Sequence, residues 1–212
     1  MKTDELITML ASGDVRPRPV PTQRIALQIA LGLLATIALM AVLLGIRPNL
    51  LQTLLMPAFW LKVVFVTALA AAGWIATTRL SSPGKTTGKV AWMIAAILLA
   101  MWGIAAAELL MAIPHTRPHM FWGNTWRACS LLIAGLSLPI FIALLHALRE
   151  LAPTRLRLAG AAAGLTAGGT AAIVYCLHCP EMMAPFVGFW YVLGILIPTM
   201  IGALIGPQVL RW

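Results

Sequence analysis

Charge is what this sequence has least of. Only 10% of its 212 residues are Asp, Glu, Lys or Arg, six of them acidic, while 61% are hydrophobic and the mean hydropathy is +0.93. Soluble domains carry about 25% charged residues, so a soluble globular fold is excluded and an integral membrane protein is expected. The apolar runs also lack the polar face that a surface helix of a soluble protein turns to water. Cysteine is scarce as well, with three in the chain. Three thiols cannot form the two cooperating pairs of a membrane thiol oxidoreductase, and the last two apolar runs hold too few polar residues to line a transport path. A cleavable signal peptide is missing too. Asp4 and Glu5 stand where it would be positive, and the apolar run Leu6–Leu10 is too short.

What the chain does have is six apolar runs, at about 25–46, 57–78, 90–113, 128–148, 158–177 and 186–210. Each has the roughly 20 residues that a helix needs to cross a bilayer. The expected fold is all-α, a polytopic membrane bundle of six transmembrane helices behind a leader at 1–24. Basic residues set its orientation. Lys2, Arg16, Arg18, Arg24, Arg79, Lys85, Lys89, Arg149, Arg155, Arg157 and Arg211 fall on one side, against Arg47, Arg117 and Arg127 on the other. Both termini are therefore expected in the cytoplasm. The formal charge of +9 reads as a topology signal, with the lipid bilayer as partner and no direct contact with nucleic acid.

In the leader, Thr3 or Asp4 can cap a short helix that carries Leu6, Met9 and Leu10 along one side and stops at Gly13. The prolines of "VRPRPVP" (15–21) then enforce extended backbone. This arrangement suits docking on a partner; the plainer alternative is a frayed tail. Within the spans, Lys62 and Glu108 sit about 7–9 Å below the same face, at about 1.5 Å per residue. An ion pair between them is expected, because an unpaired charge at that depth costs several kcal/mol; the alternative is a snorkelling Lys62 and a protonated Glu108. Gly160, Gly164 and Gly168 in the fifth run, with Gly202 and Gly206 in the sixth, have the spacing of closely packed helices. They make the fifth span central.

The cysteines share one level. Cys129 lies 24 residues before Pro153 in the fourth loop and Cys179 lies 26 after it, with Cys176 nearby. His115, His119, His178 and Glu181 are expected on that same outer face. The stretch "CLHCPE" (176–181) contains a CxxC, but at the C-terminal end of a helix, where the dipole opposes thiolate formation. Catalytic thiol exchange is disfavoured on that ground. Two uses remain open: a disulfide between Cys129 and Cys179, or capture of a soft metal ion by these thiols with His178. Small buried residues filling helix ends are the plain alternative.

Several stretches in order resemble the NrsF-type anti-sigma factors of bacteria: "MKTDELITMLASG", "IRPNL", "PAFWLK", "WRACSLLIAGLSLPIF", "LHCPEMMAPFVGFWYVLGI" and the terminal "LRW". The resemblance implies an inner-membrane protein with six spans that holds an extracytoplasmic-function sigma factor inactive. It further implies that Cys129 and Cys179 respond to heavy-metal or oxidative stress, with Cys176 outside the pattern. The expected protein is no enzyme and needs no obligatory cofactor, a transient heavy-metal ion at the cysteines apart. It grips the sigma factor on the cytoplasmic side through Leu6, Met9 and Leu10, with Arg16 and Arg18 at the rim. Cys176, His178 and Glu181 are accessory candidates at the outer site. The rival is a membrane thiol-redox or metal-handling protein without a sigma-factor partner.

Overall fold

A computed structural model describes residues 3–12, 22–82 and 88–211, and every regular element among them is helical. A leader helix α1 (Thr3–Ser12) precedes α2 (Thr22–Leu43), α3 (Leu50–Leu54), α4 (Pro57–Leu80), α5 (Gly88–Met111), α6 (Arg117–Trp122), α7 (Trp126–Glu150) and α8 (Leu156–Tyr175). The chain ends in α9 (Ala184–Phe186), one π-helical turn (Val187–Tyr191) and α10 (Val192–Val209), which run on as one continuous helix. Six helices are long and apolar enough to cross a membrane, so this is a multi-pass membrane protein. Helices α2, α4, α5, α7 and α8 and the continuous last helix begin and end within three residues of the expected runs, while the fourth apolar stretch extends back through α6 to Arg117. The first stops earlier, at Leu43, because Gly45 adopts φ +73°, a left-handed conformation that ends a helix.

The leader has acids Asp4 and Glu5 in its first turn, and the Thr8 hydroxyl donates to the Asp4 carbonyl. Leu6, Met9 and Leu10 fall within α1, whereas Arg16 and Arg18 lie outside the described residues. Neither short helix, α3 or α6, was expected. The α6 helix carries Phe121 and Trp122 against Trp126 and Trp190, an aromatic cluster of the kind found at membrane–water interfaces.

As the glycine spacing predicts, α8 is the central helix: 72% of its most apolar stretch is buried, against 17% in α2 and α5. Gly160 faces the Gly202 carbonyl, Gly164 the Pro198 carbonyl and Gly168 the Ile195 backbone, so backbone meets backbone along the α8–α10 seam. A second seam, which the glycine spacing does not announce, lies on the opposite side of α8. There Gly169 abuts Ala70, and Gly73 of α4 abuts Thr166. Helix α7 completes the centre, and α2 packs on it where Gly32 meets Ile140 and Ala143.

The Thr77 and Thr166 hydroxyls meet across the second seam at 3.1 Å, but each also reaches a carbonyl of its own helix, Gly73 and Ala162. A hydroxyl has one proton, so the interhelical bond competes with these local ones. Thr77→Val should therefore destabilise the bundle only slightly, by about 0.6 kcal/mol. Equilibrium unfolding in mixed detergent measures it.

Candidate functional site

The thiols meet at the end of the bundle where α8 gives way to the last span. Tyr175 ends α8, and Cys179 N–H still reaches back to its carbonyl, closing a final turn. Pro180 lacks an amide proton and stops the helix there; Pro185, in the first turn of α9, helps start the next. The loop between them is tucked into the bundle. Cys179 is 0% exposed and Glu181 8%.

Cys129, in the first turn of α7, is equally buried. Its thiol lies close enough to that of Cys179 for the two to interact directly, and all three cysteines are free thiols. The equal depth deduced by counting from Pro153 is thus realised as contact. The chain's only two tyrosines frame the pair. Tyr175 brings its hydroxyl within reach of both sulfurs. Tyr191 comes from the π-helical turn and is fully buried. Its hydroxyl faces Cys176 and Cys179 without forming a well-made hydrogen bond. π-turns cluster at functional sites because the extra residue re-aims the side chains around it.

Lys62, 1% exposed, reaches the same loop from α4. Its ammonium donates to the carbonyls of Cys179 (3.1 Å) and Glu181 (3.0 Å) and lies 5.3 Å from the Tyr191 ring centroid. The expected ion pair with Glu108 is corrected. Glu108 instead accepts the Ala184 N–H at 2.9 Å, capping the last span. Its carboxylate serves a helix N-terminus, where negative charge is favoured, and Lys62 is satisfied by backbone dipoles instead.

Further contacts fasten the loop. The Glu181 carboxylate accepts the Asn124 N–H at 2.8 Å beside Gly123, where φ is +52° and a Cβ would stand 2.8 Å from the Glu181 carboxylate and the Phe186 ring. The Arg47 N–H donates to the Leu177 carbonyl at 3.3 Å. His178 turns Nδ1 toward the Gly45 carbonyl at 3.1 Å. That contact takes its ring toward the α2 end, so His178 is not gathered with the two thiols as a ligand set. Among the described residues no three His, Cys, Asp or Glu side chains are close enough to hold one metal ion. His115 and His119 are exposed.

The environment acts oppositely on the two cysteines of the CxxC. Interaction with Cys129, against the pull of burial, holds the Cys179 thiol below its ordinary range, with help from Lys62, Tyr191 and the Glu181 N–H. Burial pushes Cys176 up to about 12. The unfavourable helix end weighed in the sequence analysis is outweighed by donors from other parts of the chain. One thiolate beside one thiol, shielded from water, can lose two electrons and close a disulfide, or be bridged by a thiophilic ion. Sequence reasoning missed Asn124 and both tyrosines. The scarcity of tyrosine was the available signal.

Residues 10–212 match a family model described as NrsF, negative regulator of sigma F. The chain is 53% identical to the probable anti-sigma-F factor NrsF of Azospira oryzae and 40% identical to the anti-sigma-F factor NrsF of Caulobacter vibrioides, with each pair covered over its whole length. No solved structure matches it.

Proposed function

Because the chain belongs to the NrsF family of negative regulators of a sigma factor, we propose that it is a membrane-bound anti-sigma factor. It sequesters an extracytoplasmic-function sigma factor at the cytoplasmic face and releases it when the thiol pair Cys129 and Cys179 is modified from outside. It acts as a regulator, not as an enzyme. Similarity over the whole length to two anti-sigma-F factors carries the regulatory half of this reading. The buried pair of free thiols, close enough to interact, supports the sensing half.

Orientation follows from charge. Six crossings return the chain to its starting side, and that side holds eleven of the Lys and Arg residues. This distribution supports our reading of a bacterial inner-membrane protein with both termini inside and the thiols facing the periplasm. Two sulfurs with no third His, Cys, Asp or Glu gathered beside them among the described residues suit disulfide formation under oxidative stress, or two-coordinate capture of a thiophilic heavy-metal ion. They do not suit the four-ligand site that structural zinc requires. Helix α1 is the docking element, its acidic first turn followed by Leu6, Met9 and Leu10.

Tagged chain, purified from membranes of cells that also make a candidate extracytoplasmic-function sigma factor, tests this directly. The full-length chain should retain the sigma factor, and a variant lacking residues 1–20 should lose at least nine-tenths of it at equal membrane abundance. Failure of the full-length chain to retain any sigma factor overturns the anti-sigma assignment. Equal retention by both overturns the docking role of α1 alone.

A further inference from the structure

A buried ammonium is expensive unless charge or dipoles compensate it. Lys62 is compensated in an unusual way, by the main chain of the residue whose thiol does the chemistry. The carboxylates of Glu108 and Glu181 accept the N–H groups of Ala184 and Asn124, whereas the ammonium binds carbonyls. Its charge also acts on the thiols of Cys176 and Cys179. The loop it holds is also the covalent link between α8, the core of the bundle, and the last span.

We propose that Lys62 is the positioning residue of the thiol switch: a latch that binds the Cys179 and Glu181 carbonyls, so that the closed loop and the reduced thiol pair stabilise one another. This rests on the reading of Cys129 and Cys179 as the sensor. Oxidation draws the two sulfurs together to about 2.05 Å. It removes the negative sulfur beside the ammonium and displaces the carbonyl that the ammonium holds. By linkage, whatever weakens the latch must favour the disulfide by the same factor. Released at 179 and 181, the loop moves both helices it joins, and the signal leaves the thiols along α8 and the last span.

The test uses full-length chain in isolated membranes, equilibrated with mixtures of reduced and oxidised glutathione and then trapped with a polymer-linked maleimide in SDS. In the reaction the Cys129 thiol and Cys179 thiolate form one S–S bond. Two electrons and the thiol proton pass to oxidised glutathione, which leaves as one thiol and one thiolate. Lys62→Met should raise the equilibrium constant for disulfide formation at least tenfold, equivalent to a potential more negative by about 30 mV. It should also speed alkylation of Cys179 by N-ethylmaleimide in native membranes at least tenfold. Lys62→Arg keeps the charge and the donors and should stay within threefold of wild type in both, a rescue that simple space-filling would not produce. Wild-type behaviour of Lys62→Met in both measurements overturns the latch. If the wild-type chain forms no disulfide at any ratio, the thiol-pair reading fails, and the alkylation ratio alone decides for or against the latch. Should Lys62→Met not accumulate in membranes, Lys62→Gln is read with the same criteria.

Discussion

Replacing Gly164 with valine should dismantle the bundle. A Cβ at this position would overlap the Pro198 carbonyl oxygen and stand 2.7 Å from the Thr199 Cα, both backbone atoms. No rotamer change relieves such a contact, so the two helices must separate. Separation also breaks the neighbouring approaches at Gly160 and Gly168. Apolar helices in lipid have no hydrophobic drive toward each other and rely on close packing, so the seam has little else to hold it. Even Gly164→Ala should cost about 1–3 kcal/mol, the usual price of an overpacked core, and Gly164→Val more than about 4 kcal/mol, which few single substitutions reach. Gly135 supplies the control. A Cβ there meets nothing within 4 Å, so Gly135→Ala should change stability by no more than about 0.5 kcal/mol. Thermal unfolding in detergent, with membrane abundance, separates the two. Equal stability of Gly164→Val and Gly135→Ala would show that the α8–α10 seam is not formed as described.

Cys179→Ser should abolish induction altogether, leaving the sigma factor bound in the presence of a hydroperoxide or a thiophilic metal ion. Serine fills the volume but neither ionises in this range nor forms a bond to Cys129. Cys129→Ser should behave the same way, because one sulfur alone cannot close the bridge. Cys176→Ser should respond like wild type, since burial holds that thiol protonated, up to about 12. Driving a two-state switch from 1:99 to 99:1 takes about 5.5 kcal/mol. A covalent S–S bond in an oxidising compartment can supply that, whereas a rearranged hydrogen bond of about 1 kcal/mol cannot. A sigma-dependent reporter, read with and without inducer, checks all three variants. Full induction in Cys179→Ser would remove the thiol mechanism and leave the anti-sigma role standing.

Much of this was legible in one dimension. Span number followed from apolar length, and the shared depth of Cys129 and Cys179 from counting away from Pro153. The centrality of α8 followed from glycines four residues apart. Their shared level makes Cys129 and Cys179 a candidate pair, the resemblance to the family sets Cys176 outside it, and the interaction between the two thiols is consistent with both. Lys62 and Glu108 were rightly noticed as anomalies and wrongly paired, because opposite charges at one depth suggest each other. His178 was drawn into the metal set by adjacency to Cys179, yet its ring turns to the Gly45 carbonyl.

The amino-acid sequence by itself determined the membrane bundle, its six crossings and the level of the thiols. These depend on apolar length and on a helical rise of about 1.5 Å per residue, the same for every sequence. Only the tertiary structure decided what Lys62 holds, what Glu108 caps and which charges act on Cys179. Those contacts are made to main-chain carbonyls and N–H groups at 179, 181 and 184. Nearly every residue type carries such groups, so no side-chain pattern announces which of them a buried charge will choose.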